Sequence, residues 1–136
     1  MNSAQLISAG VILLTVIAIA YGGSFLLRVA NGSAPANDLQ RTYFRAGHAH
    51  AGVLVILGLV VMLLMAEAEV DGVLAALSSG VLWAAILMPA GFFLSVIGRH
   101  PGKPNRLRFL IVAGGIVLTV GLLSAGIGLI AAGAGG

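Results

Sequence analysis

Four long apolar runs, Leu6–Leu27, Ala46–Ala66, Val73–Gly98 and Phe109–Ala132, take up most of this chain. Each reaches the ~20 residues a helix needs to cross a hydrocarbon core of ~30 Å. Hydrocarbon offers no water to bond backbone N–H and C=O groups, so the expected solution for each run is an α-helix. The fold class expected is all-α and integral to a membrane. It is a single four-transmembrane-helix bundle spanning residues 1–136. Charged residues make up 8% of the chain, against about 25% in an ordinary soluble domain, which excludes that class.

The charges are segregated. Arg28, Arg41, Arg45, Arg99, Lys103, Arg106 and Arg108 all fall at the first and third connections, whereas Glu67, Glu69 and Asp71 occupy the second. Excess Lys and Arg mark cytoplasmic connections, so both termini and the acidic turn are expected outside, in a bacterial plasma membrane. The net charge of +3 is thus a topology signal; it does not point to nucleic acid. MNSAQLIS lacks a basic n-region and a small-residue cleavage site, and the first helix reads as retained. With no cysteine in the chain, disulfides and thiolate metal sites are excluded.

Local signals refine the spans. Asn31-Gly32 should stop the first helix, whose last turns carry the small and polar run Tyr21-Gly-Gly-Ser24, suited to close helix contact. Asn37 with Gln40 three residues on resembles a capping box, predicting that the second helix starts at Asp38, before the apolar run. Pro89 predicts a kink in the third span, since proline removes one backbone hydrogen bond and crowds the carbonyl of Ala85. In the fourth span Gly114, Gly121, Gly128 and Gly135 recur every seven residues, interleaved with Leu118, Ala125 and Ala132. Small residues at that period predict a close-approach seam against a helix of the same chain or of a neighbouring copy. Gly136, beyond the span, is expected to matter little.

The halves of the chain resemble each other. Ser8-Ala-Gly-Val-Ile-Leu aligns with Ser78-Ser-Gly-Val-Leu-Trp, and Arg45–Leu59 with Arg108–Leu122, which superposes Gly52 on Gly115 and Gly58 on Gly121. This predicts a parallel 2+2 duplication of a helical hairpin. His48 and His50 then match Ile111 and Ala113, so the histidines distinguish the first half from the second.

His48 and His50 are the candidate metal- or cofactor-binding residues, with Arg45 one turn before His48. Ionisable side chains within a span are costly and default to functional hypotheses, and neutral imidazole binds transition metals and haem. On a regular helix two positions two apart diverge, so one ion cannot take both rings unless the helix is distorted at Gly47. The competing reading is structural: an imidazole near the interface bonding a neighbouring helix. Met62 and Met65 share a face, but Met62 stands about 21 Å along the helix from His48; packing is their expected role. His100 is expected in a solvated turn, and the acids of the second connection are expected to be solvated. No Asp, Glu or Lys lies inside a span, and there is no catalytic triad, phosphate loop or HExxH, so no catalytic residue is assigned.

The stretch FRAGHAHAGVLVILGLV resembles the second helix of small uncharacterised bacterial four-helix membrane proteins with a His-x-His ahead of a Leu/Gly-rich run. More distantly, it is similar to histidine-bearing helices of haem-copper oxidase-type proteins. The resemblance carries over His48 and His50 alone. Taken together, the residues lead us to expect a small membrane accessory or structural subunit, a homo-oligomer or part of a larger membrane complex, with a transition metal or haem as the candidate cofactor. The alternatives are an oligomeric pore or transporter for a neutral solute, and a membrane redox enzyme component.

Overall fold

The computed structural model describes residues 1–135; Gly136 lies outside the described residues. Helix α1 runs Ser3–Ala30, α2 Asp38–Glu67, α3 Gly72–Ser78, α4 Gly80–Leu94 and α5 Phe109–Ala134, the last entered through a 3-10 turn at Arg106–Arg108. No strand occurs among the described residues. Helices α3 and α4 together make the third long segment, so four segments are long and apolar enough to cross a membrane.

The third segment has a break that its sequence was not expected to have. Its helix is continuous through the buried Pro89 and is interrupted at Ser79. There the hydroxyls of Ser78 and Ser79 donate to the carbonyls of Ala75 and Ala76, three residues back, at 2.8 and 2.6 Å. The backbone N–H of Ser79 bonds Ala76 O at 3.3 Å, also three residues back. Side-chain bonds to the backbone compete with the α pattern, and Gly80 follows at once. The segment also ends at Leu94, short of Gly98, because Ser95 and Val96 turn inward and are buried.

Helix α4 is central, with α2 and α5 packed against it; α3 packs chiefly on α5, and α1 touches α2 alone. None of the most apolar 18-residue window of α1 is buried, whereas 22–28% of the other three windows is. Glycine decides this pattern. A methyl group on Gly121 would stand 2.8 Å from the backbone N of Val81, and one on Gly80 2.7 Å from the Val117 carbonyl. Gly128 meets Val70 and Met65, and Gly114 meets Met88. The seven-residue seam is therefore occupied within the chain by α3, α4 and the turn before them, down to Gly128, while Gly135 meets only its own helix. The apolar core sits beside it, where Val61 and Met65 of α2, Val81 of α4 and Ala125 of α5 converge.

The two ends of the bundle are closed differently. At the acidic end α2 finishes in a Schellman motif: Val70 N bonds Met65 O at 3.0 Å and Glu69 N bonds Ala66 O at 3.3 Å. Glu69 holds the left-handed position at φ 51° that glycine normally fills. At the basic end the capping box forms as expected, with Gln40 N donating to Asn37 Oδ1 at 2.9 Å and Asn37 N to Gln40 Oε1 at 3.1 Å. The same side chains also reach across the fold. Gln40 Nε2 donates to Val96 O and Gly98 O at 3.1 and 2.9 Å, and Asn37 Nδ2 to Pro101 O at 2.9 Å. Gln40 is only 6% exposed, so this cap doubles as a clamp holding the first connection to the third.

Candidate functional site at the basic end of α2

Thirty residues of α2 measure about 45 Å, longer than the ~30 Å core of a bilayer. The residues beyond the apolar run, Arg41 and Arg45 among them, lie at its N-terminal end, and His48 and His50 stand just inside the run. The helix is unbroken at Gly47, so the two histidines diverge as the period of 3.6 requires.

His48 turns to α1. A methyl group on Gly23 would stand 3.5 Å from its Nε2, and one on Gly22 3.7 Å from its Nδ1. The glycine pair thus forms the floor on which the ring rests. His50 turns to α4. Its ring centroid lies 4.9 Å from that of Phe92, at a 36° tilt. Its Nδ1 is 2.7 Å from the carbonyl of Ala46; a carbonyl only accepts, so Nδ1 carries the proton and donates. In neutral imidazole this leaves Nε2 as the acceptor. Only His50 of the two hydrogen-bonds within the chain among the described residues. The bond from His48 to a neighbouring helix, expected on the structural reading, is replaced by packing on glycine.

Aromatic side chains tie the three helices together at this level. Phe25 of α1 meets Phe44 of α2 edge-on at 5.5 Å, Phe44 stacks on Phe93 of α4 at 5.8 Å, and Tyr43 meets Phe92 at 5.7 Å. Gly47 makes room for them: a methyl group there would stand 2.9 Å from Phe93 and 3.0 Å from Phe92. No histidine or charge pattern in the sequence points to this cluster. Its signal was the pairs Tyr43-Phe44 and Phe92-Phe93, each near the basic end of an apolar run, where aromatic residues gather at an interface.

The donor set for a shared metal does not assemble. No group of three or more His, Cys, Asp or Glu is placed to hold an ion among the described residues, and His48 and His50 serve opposite neighbours. His100 is exposed in the third connection. Met65 is buried in the core and Met62 half-buried at the far end of α2.

Of the cavities that border α1, two are large. A cleft of about 640 Å³ opens toward the acidic end between α1 and the α2–α4 pair, lined by apolar groups such as Val11, Val55, Leu82 and Trp83. A second, of about 560 Å³, lies between α1 and α2 at the basic end, and Arg41, Arg45 and His48 line it. No family model, curated protein or solved structure matches the chain.

Proposed function

We propose that this chain is a small integral membrane protein of the accessory or structural kind, acting through its helix surfaces and holding no catalytic centre. The basic connections would lie in the cytoplasm, and both termini outside. The observation that carries the reading is the fate of its polar groups. Hydroxyls of Thr15, Ser24, Ser78, Ser79, Ser95 and Thr119 all donate to carbonyls three or four residues back on their own helix. No buried side-chain N or O lacks a partner among the described residues. A catalytic or ion-conducting interior keeps polar groups aimed at a substrate path; here these six hydroxyls are consumed locally, and the α4–α5 interface is closed by backbone contact at Gly80 and Gly121. With the glycine seam used within the chain, association with other copies or subunits would use other surfaces. The duplication rests on the sequence alignment, since the matched contacts differ: Gly121 abuts Gly80 and Val81, whereas Gly58 abuts Leu82 of α4 and a methyl group on Gly10 would meet nothing within 4 Å. Solute flux into liposomes holding the purified protein tests the reading: rates matching empty liposomes are expected, and a flux above them would favour the pore.

One observation favours a metal or haem as the second reading. A histidine that ligates through one nitrogen usually donates the other N–H to a carbonyl or carboxylate, and the Nδ1 of His50 donates to Ala46 O. Nε2 of His50 would then be a single ligand, completed by another subunit. His48 has no such orienting bond. Elemental analysis and an absorption spectrum of the purified protein test this. Loss of a bound cofactor in His50→Ala, with retention in His48→Ala and His100→Ala, would support it, and a colourless, metal-free wild type would remove it.

A further inference from the structure

We infer that the basic cavity between α1 and α2 is a binding site for one anionic phospholipid, with the phosphate held by Arg41 and Arg45 and an acyl chain lying on Leu26 and Leu27. The cavity measures about 560 Å³, within the 300–1,000 Å³ typical of small-molecule sites. Its two walls differ in chemistry. Helix α2 contributes Arg41, Arg45 and His48, three positions on one stripe extending about 10 Å along the helix. Helix α1 contributes only apolar or small residues, including Gly23, Leu26 and Leu27. A cationic rim facing a hydrocarbon wall fits a molecule with both an anionic head and an apolar tail.

Depth agrees with this. His48 stands two residues inside the expected apolar run, Arg45 just before it and Arg41 one turn further out. The polar headgroup layer is roughly 5–8 Å thick on each side of the bilayer, so the stripe spans that layer. Arginine is suited to phosphate because its planar fork donates two parallel hydrogen bonds. Competition within the chain is small: Asp38, the one acid at this end, does not line the cavity. The other acids, Glu67, Glu69 and Asp71, lie at the far end of α2 and beyond it. Arg41 spends its Nε on the carbonyl of Ala36 at 3.1 Å, which fixes its stem and leaves its terminal nitrogens for a ligand. The floor is preformed, since the ring of His48 rests on Gly22 and Gly23 and holds α1 beside α2.

The inference goes beyond the accessory role and rests on the membrane reading, so the experiment separates them. The full chain is reconstituted in nanodiscs of equimolar phosphatidylglycerol and phosphatidylcholine, released in mild detergent and weighed by native mass spectrometry. A single phosphatidylglycerol adduct in excess over phosphatidylcholine is expected. Arg45→Gln should weaken retention about fivefold, the equivalent of ~1 kcal/mol for one basic group at an anionic surface. Ala30→Trp, which keeps every charge but fills the cavity, should abolish the adduct. Lys103→Gln, on the third connection, should leave it unchanged. Both lipids retained alike, or an adduct indifferent to Arg45→Gln and Ala30→Trp, would overturn the site while leaving the membrane reading intact. Displacement of the adduct by inorganic phosphate would show that the arginines read a free anion, and would overturn the lipid as occupant. Recovery of the chain as soluble protein with no lipid of either class would instead remove the membrane reading itself.

Discussion

Gly121→Ala probes the bundle where the α4 and α5 backbones approach closely. The added methyl group would stand 2.8 Å from the backbone N of Val81 and 3.1 Å from the backbone carbon of Gly80, with Val81 Cγ2 at 3.0 Å. Two of the three obstacles are main chain, so no rotamer change relieves them and α5 must move away from α4. Overpacking of this kind costs about 1–3 kcal/mol, and a backbone obstacle places the cost in the upper half of that range. Replacing glycine by alanine inside a helix returns roughly 0.5–1 kcal/mol, so the net loss expected is about 1–2.5 kcal/mol. Gly126→Ala is the matched control, because nothing lies within 4 Å of a methyl group there. It keeps the propensity gain without the clash. The two variants should therefore differ by about 2–3 kcal/mol, the clash alone, because the propensity gain is common to both. Unfolding of the purified protein in mixed detergent with increasing denaturing surfactant would read this difference directly. Equal stability of Gly121→Ala and Gly126→Ala would refute the argument that the seam sets the α4–α5 distance.

Other positions follow the same logic. Gln40→Leu strips the bonds to Val96 O and Gly98 O and the side-chain half of the α2 capping box, leaving the backbone N on Asn37 Oδ1, and should cost about 2–4 kcal/mol at ~1–3 kcal/mol per orphaned buried group. Gln5→Leu removes only the side-chain half of the α1 capping box, Asn2 N to Gln5 Oε1, about 0.5–1.5 kcal/mol, and the ratio of the two unfolding shifts checks the clamp. Glu69→Gly should raise stability by about 0.5–1 kcal/mol, because the residue sits at φ 51° and glycine relieves that conformation; a lowered midpoint would contradict the Schellman assignment. Gly23→Leu should push the His48 ring off α1, and a cross-link between cysteines at Phe25 and Phe44, whose rings lie 5.5 Å apart, should then form poorly. Cysteines at Ser33 and Asn105 should be labelled only from the cytoplasmic side of intact cells. Labelling of either from outside would reverse the topology.

The sequence by itself determined the number of long apolar segments, their helical character and the α2 cap. These depend on run length, on the period of 3.6 and on side chains bonding backbone three residues away, all of which are local. The divergence of His48 and His50 was legible for the same reason, since two positions on an unbroken helix differ by a fixed angle. What the rings meet was not legible. That Gly22 and Gly23 receive His48, while Phe92 receives His50, depends on which helices are neighbours, and apolar spans of similar composition carry no local signal of their partners. The seam shows the same limit: its period was visible in Gly114, Gly121 and Gly128, but either a second copy or this chain's own α3 and α4 satisfied it equally well. The position of the helix interruption was decided by a contest between local forces. Pro89 removes one bond, which a packed helix tolerates, whereas Ser78, Ser79 and Gly80 together redirect several. Only the packed structure shows α1 touching α2 alone, and with it the cavity where Arg41, Arg45 and His48 face leucine. The reason is physical: helix formation is specified within a few residues, whereas helix pairing is decided by shape contacts summed over whole faces.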